Sequence, residues 1–80
     1  MPTVLRIRGY RFFFFSREGN EPPHIHVEHA EKVAKFWLNP VVLASAYGFR
    51  NHELNDLQEL VEMHSDLFQE KWNEYFSRES

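Results

Sequence analysis

The first half of the chain consists of short segments in which apolar and polar residues alternate, or in which β-branched and aromatic residues dominate. Both patterns are typical of strands. Five such segments follow one another: TVLRI at 3–7, YRFFFF at 10–15, HIHVEHA at 24–30, VAKFWL at 33–38 and VVLA at 41–44. They are separated by turn-forming stretches at Arg8-Gly9, SREGNEPP (16–23), Glu31-Lys32 and Asn39-Pro40. The pattern predicts an antiparallel sheet of four or five strands.

The alternation also predicts which side chains share a face. If Ile7 lies opposite Tyr10, the candidate core face carries Thr3, Leu5, Ile7, Tyr10, Phe12, Phe14, Ile25, Val27, Ala34, Phe36 and Leu38. The opposite face then carries Val4, Arg6, Arg11, Phe13, Phe15, His24, His26, Glu28, Lys35 and Trp37. A slip of one residue in the first hairpin would exchange its two faces.

The period changes near residue 50. From 52 to 76, apolar residues recur every three or four positions, as on one side of an amphipathic helix. The stretch HSD at 64–66 is the expected break into two helices. Glu53 stands where a capping box needs an acid, but Arg50 occupies the matching position, so Asn51 is the predicted N-cap.

These segments predict an α+β fold, with an antiparallel sheet and one or two C-terminal helices packed on one of its faces. The whole chain, 1–80, is expected to form a single domain with a β-rich part at 1–49 and a helical part at 50–77.

Charge and composition narrow the class of protein. Residues 1–50 hold seven basic and four acidic side chains, giving +3, whereas residues 51–80 hold two and eight, giving −6. An acidic C-terminal part argues against nonspecific wrapping of nucleic acid. The chain has no cysteine, so disulfides and thiolate metal sites are excluded. With no secretory leader and no apolar run that could cross a bilayer, we predict a cytoplasmic protein without membrane contacts.

Two histidines at alternate positions raise the question of a metal site. His24 and His26 would project from one side of a strand, and Glu28 follows at the same spacing. Two imidazoles and a carboxylate would suit a divalent zinc, nickel or iron ion. The plainer interpretation is an outward-facing strand in which His24 bonds to the preceding loop and Glu28 pairs with a neighbouring cation. Because two ligands on one strand are a weak signal, the pattern favours no cofactor.

The same histidines are candidates for acid–base catalysis. His24 or His26 could transfer a proton near neutral pH, while Arg6, Arg11 or Lys35 on the same face stabilises an anion such as a scissile phosphate. This is the arrangement that a ribonuclease independent of metal would need. Any mixed polar sheet face has a similar composition.

The aromatic residues point to a contact surface. One helical layer covers only one face of a sheet, so the other face would expose an aromatic and basic set: Arg6, Arg11, Phe13, Phe15, Lys35 and Trp37. Such a face could dock a small protein partner or a second copy of the chain, or stack the bases of RNA. Alternatively, the helices divide between both faces and bury all four rings of Phe12 to Phe15.

Four motifs, MPTVLRIRGYRFFFFS, EPPHIHVE, AKFWLNPV and WNEYF, resemble a small bacterial family catalogued as domain of unknown function number four-one-six-zero. The resemblance implies one half of a two-gene module of the toxin-antitoxin kind. Arg50 departs from the pattern, because members commonly carry a helix-capping Ser or Thr there. The resulting hypothesis is an interaction module in such a pair, and the alternatives are a phosphodiesterase or ribonuclease using His24 and His26, or a non-catalytic RNA binder.

Overall fold

The five predicted strands form a meander in which each strand pairs with its neighbour in sequence. A computed structural model describes residues 3–15 and 19–76. Its elements are β1 (Thr3–Ile7), β2 (Tyr10–Phe13), β3 (His24–His29), β4 (Lys32–Leu38), β5 (Val41–Tyr47), α1 (Asn51–Met63) and α2 (Ser65–Phe76). All four pairings are antiparallel, in the order β1-β2-β3-β4-β5. The α+β prediction is therefore confirmed. Residues 16–18 of the predicted loop and residue 77 of the predicted helical part lie outside the described residues.

At its turn, the first hairpin has the register on which the assignment of faces depended. Ile7 lies opposite Tyr10, and the turn residues Arg8 and Gly9 both have positive φ, at 52° and 84°. Two positive φ values characterise the type I′ turn, whose twist matches that of the flanking strands. Glycine suits position 9 for two reasons: it adopts this positive φ without strain, and a Cβ there would lie 3.0 Å from the His29 ring.

A β-bulge near the start of β1 corrects two of the predicted sides. Thr3 lies opposite Phe13, and the register shifts between Thr3 and Leu5. The extra residue reverses the alternation, so Val4 packs against the core, and the Thr3 hydroxyl accepts a 2.8 Å hydrogen bond from Nε of Arg11. The predictions of Thr3 on the core face and Val4 on the opposite face are therefore wrong.

Strands β3 and β4 keep the predicted faces except at His24, which is buried, and the ends of the later strands differ from the prediction. Ala30 and Glu31 form the turn between β3 and β4, one residue before the predicted position. Asn39 and Pro40, joined by a cis peptide bond, form the next turn. The fifth strand reaches Tyr47, three residues beyond its predicted end.

Both helices pack on the face of the sheet that was predicted to be the core face. The buried cluster consists of Phe12, Phe14, Ile25, Val27, Ala34, Phe36, Leu38, Leu57, Leu60, Val61, Phe68, Trp72 and Phe76. Two ring pairs join the layers: Phe12 stacks on Phe68 at 5.2 Å between centroids, and Phe14 meets Trp72 edge-on at 5.4 Å. The alternative in which the helices divide between both faces is not observed.

The helical part breaks at His64, as predicted, and the backbone N–H of His64 bonds to the Leu60 carbonyl. The predicted Asn51 cap is wrong, because Arg50 is the N-cap. An arginine side chain cannot accept a hydrogen bond, so only the acidic half of the capping box operates: the Arg50 backbone N–H donates to Glu53 at 2.9 Å. This bond, together with the Lys32 ammonium, lowers the pKa of Glu53 below its usual value.

Candidate functional site

The sheet face opposite the helices is organised in rows that run across the strands. We call it the outer face, and it consists of Arg6, Arg11, Phe13, Phe15, His26, Glu28, Val33, Lys35, Trp37, Val42, Ser45 and Tyr47. One row crosses four strands as Phe13, His26, Lys35 and Ser45. A second row consists of Arg6, Arg11, Glu28, Val33 and Tyr47. Because opposed side chains in a sheet touch, each row is a continuous strip of contacts.

Two of the three predicted cations on this face are held by carboxylates. Arg11 donates to Glu28 at 2.7 Å, and its guanidinium lies 4.4 Å from the centre of the Phe13 ring. Lys35 donates to Glu21 at 2.8 Å, and its ammonium lies 4.5 Å from the centre of the Trp37 ring. The local positive charge is therefore largely compensated, and the cations also cover aromatic surface.

The aromatic side chains of the outer face differ in exposure. Phe13 is only 4% exposed because the Arg11 guanidinium covers it and the His26 ring stacks on it at 5.5 Å. Phe15 is 40% exposed and meets His26 edge-on at 4.6 Å. These rings form one end of a groove of about 320 Å³ lined by Phe13, Phe15, His26, Val27, Val33, Ala34, Lys35, Ser45, Ala46 and Tyr47.

His24 does not lie on the surface where the alternation predicted it. Its side chain is fully buried, and its ring centroid lies 4.8 Å from that of Trp72 in α2. The ring contacts the loop as well, with Nδ1 2.9 Å from the Pro22 carbonyl oxygen. A carbonyl can only accept, so Nδ1 carries the proton. This contact and the Glu28–Arg11 pair are the two contacts of the plainer interpretation.

The predicted metal ligands are only partly brought together. The rings of His24 and His26 are 5.1 Å apart and nearly perpendicular, whereas the Glu28 carboxylate is engaged by Arg11. Among residues 3–15 and 19–76, no three His, Asp or Glu side chains are grouped so that they could hold one ion. The described residues thus supply two imidazoles but no third ligand beside them.

The predicted catalytic residues are also unequal in access. His26 is half-buried and lines the groove, and its cross-strand neighbour is Lys35. His24 is enclosed, so it cannot touch a substrate in this conformation. Arg6 and Arg11 lie opposite each other on β1 and β2, with Arg6 exposed. One imidazole and one ammonium therefore face the groove, and His26 is the one of the two predicted histidines that a substrate there could reach.

The contribution of β5 to the outer face was not predicted. Val42 is 48% exposed and Tyr47 is 72% exposed, and Ser45 and Tyr47 line the groove. The available signal was the uncharged run VVLASAY, which continues the β-branched and small residues past the predicted end at 44. A β-bulge interrupts the alternation of this strand, because Ala44 has no partner between the pairs Lys35–Ser45 and Phe36–Leu43.

Neither helix in the described part of the chain has the length and apolar character that crossing a bilayer requires.

Comparison with curated proteins and with solved structures found no match. Comparison with family models matched residues 9–73 to one family, a span that includes β2 to β5, α1 and most of α2. The chain therefore belongs to the family described as Domain of unknown function (DUF4160).

Proposed function

We propose that this chain is a small interaction module that binds a protein partner through its outer face. The observation that carries the proposal is the set of apolar side chains that this face exposes. Phe15, Val33, Val42 and Tyr47 are between 40% and 72% exposed, although each is large enough to stabilise a core. Several large apolar side chains exposed on one face of a small domain are typical of a protein–protein contact site.

The charges of the face favour a protein over RNA as the partner. An RNA-binding groove needs uncompensated cations, but Arg11 and Lys35 are paired with Glu28 and Glu21. Ion pairs of this kind contribute to the specificity and orientation of a protein interface. Trp37 lies beside Lys35 and Val42, so an aromatic anchor stands next to exposed apolar surface.

The family context supports a specific partner. The resemblance implies a two-gene module of the toxin-antitoxin kind, in which the two products bind each other in the cytoplasm. The protein encoded by the adjacent gene is accordingly the first partner to test. A cofactor is not needed for this function.

The proposal is tested by calorimetric titration of the purified chain with the protein encoded by the neighbouring gene. Trp37→Ala and Phe15→Ala should each weaken binding at least about tenfold, which is typical of anchor residues. The matched control is Glu70→Gln on α2, far from the outer face, which should bind as the unchanged chain does. Equal affinity of all these variants would contradict the proposal.

A second candidate is an activity on RNA, cleavage or binding, centred on the groove. The observation in its favour is that His26 and Lys35 lie opposite each other and both line the groove. Cleavage of a fluorescent RNA should then disappear in His26→Ala, and loss of activity with a chelator would indicate a divalent metal. Binding without cleavage would instead weaken steeply as salt rises. Under the interaction proposal, His26→Ala weakens partner binding less than Trp37→Ala does.

A further inference from the structure

The sheet has two edge strands, and they differ in their protection against further pairing. The β1 edge carries exposed Arg6 and ends beside exposed Arg8. β5 has no charged residue and no proline, and six of its seven residues are exposed. Charges on an edge strand discourage the addition of another strand. The β1 edge is thus protected by charge, whereas the β5 edge is not.

The backbone of β5 is open along most of its length. In the part of the chain that the structure describes, β4 is its sole strand partner, so a row of N–H and C=O groups faces away from the sheet. At the first residue of the strand, Nε2 of Gln58 donates a hydrogen bond to the Val41 carbonyl at 2.8 Å. The edge from 42 to 47 is long enough to pair with an extended segment of about six residues.

Both sides of this edge are bordered by exposed apolar surface. On the outer face the border is Val42 and Tyr47, and on the helix side it is Leu43, which is 37% exposed. The groove reaches the same edge through Ser45, Ala46 and Tyr47. The outer face alone measures roughly 24 by 20 Å, on the order of 500 Å², less than the 800 Å² or so that a standard interface buries on each partner. An added strand would enlarge that contact.

We propose that β5 accepts an extended segment of a partner protein as a sixth strand of the sheet. The segment carries apolar side chains on the outer side, next to Val42 and Tyr47, and lysine or arginine on the helix side. Main-chain hydrogen bonds hold it in place, and the alternating side chains select it. The inference deepens and rests on the proposed function by adding a contact for the same partner: the backbone edge of β5, which adjoins the outer face at Val42 and Tyr47.

The basic character of the segment follows from the charge of α1. This helix contains Glu53, Asp56, Glu59 and Glu62 and no lysine or arginine. Glu62 lies on the side of α1 nearest the start of β5, because it bonds to Gln58, which in turn bonds to Val41. The apolar stem of a lysine would cover Leu43 while its ammonium reaches these carboxylates.

A second copy of the chain fits the edge less well than a basic segment does. In a symmetric antiparallel pair centred on the bulge, Val42 can oppose Tyr47 on the outer side and Leu43 can oppose Ala46 on the helix side, so the strands themselves are compatible. The two α1 helices would then lie beside each other, and their carboxylates would repel. The chemistry therefore favours a different, basic chain.

The test uses two synthetic peptides with the same apolar residues and opposite charge, acetyl-KVKVKVK-amide and acetyl-EVEVEVE-amide. Each is added to the isotope-labelled chain while amide hydrogen exchange is followed by NMR. The lysine peptide should slow exchange in 41–47 at least about tenfold and bind about tenfold more tightly than the glutamate peptide. A third peptide, acetyl-KVKPKVK-amide, should lose the effect because its proline breaks the strand.

Variants of the chain separate this inference from the outer-face proposal. The double change Glu59→Gln and Glu62→Gln should reduce the preference for the lysine peptide, whereas the control Glu70→Gln on α2 should leave both that preference and the protection of 41–47 unchanged. Absence of protection in β5 with the lysine peptide would overturn the edge inference. If resonances of Phe15 and Trp37 shift instead, a segment binds the face and not the edge, and the outer-face proposal stands.

Discussion

The run of four phenylalanines offers a comparison in which the same substitution is made at neighbouring positions with opposite environments. Phe12 is fully buried and stacks on Phe68, whereas Phe15 is 40% exposed on the outer face. Replacing Phe12 with leucine removes roughly 20 Å³, which costs about 0.5 kcal/mol at ~24 cal/mol per Å³. Loss of the ring pair adds about 0.5–1.5 kcal/mol. We therefore expect Phe12→Leu to lower the free energy of unfolding by about 1–2 kcal/mol.

Phe15→Leu is the matched control. The ring of Phe15 keeps contact with Phe13 and His26 but leaves much of its surface in water, so its replacement should cost about 0.5 kcal/mol or less. Urea denaturation of both variants, with equal m-values, measures the difference. Equal losses at the two positions would mean that the outer face is covered in the isolated chain. That result would refute both the assignment of faces and the binding surface built on it.

Three further predictions concern single interactions. The backbone hydrogen bond at the start of α1 lowers the pKa of Glu53, so the stabilisation is present above the usual pKa of 4.5 and is lost as pH falls through the lowered value. Urea midpoints from pH 6 to pH 3 should therefore fall less steeply in Glu53→Gln than in the unchanged chain. Gly9→Ala should cost about 1 kcal/mol or more because its φ is 84°, whereas Ala30→Gly, at φ 56°, should cost little or stabilise, as thermal unfolding would record. Gln58→Ala removes the hydrogen bond to the Val41 carbonyl and should lower the free energy of unfolding by about 0.5–1.5 kcal/mol. Amide exchange at the start of β5 should become faster, and unchanged exchange there would mean that this hydrogen bond does not stabilise the strand end.

The sheet was largely predictable because its information is local. Strand alternation and the turn residues Arg8-Gly9 indicated a hairpin without reference to the rest of the chain, although the sequence left its register open by one residue. The structure has the register in which Ile7 lies opposite Tyr10. The two bulges were not predictable, because a bulge is defined by how one strand lies against another. The bulge in β1 reversed the sides of the residues before it, which is why Thr3 and Val4 were assigned wrongly. Tyr47 was missed because the predicted fifth strand ended at residue 44, whereas β5 continues past its bulge to Tyr47.

The site was less predictable than the fold because its key contacts join distant parts of the chain. His24 is buried by Trp72, which comes almost fifty residues later on α2, and no pattern around His24 indicates that contact. The pairing of Arg11 with Glu28 was foreseeable as a type of contact but not as a specific pair. It required the register of β2 against β3, which the loop before β3 leaves open in the sequence.

The order of the strands bears on how the chain folds. Because every strand pairs only with its neighbour in sequence, no strand pairing has to wait for a distant segment to arrive. Such local topology lowers the entropic cost of closing the loops on the way to the transition state and favours fast folding. In such a sheet each new strand pairs with the open side of the strand before it, and the open side of β5 offers the same backbone groups to a strand from another polypeptide.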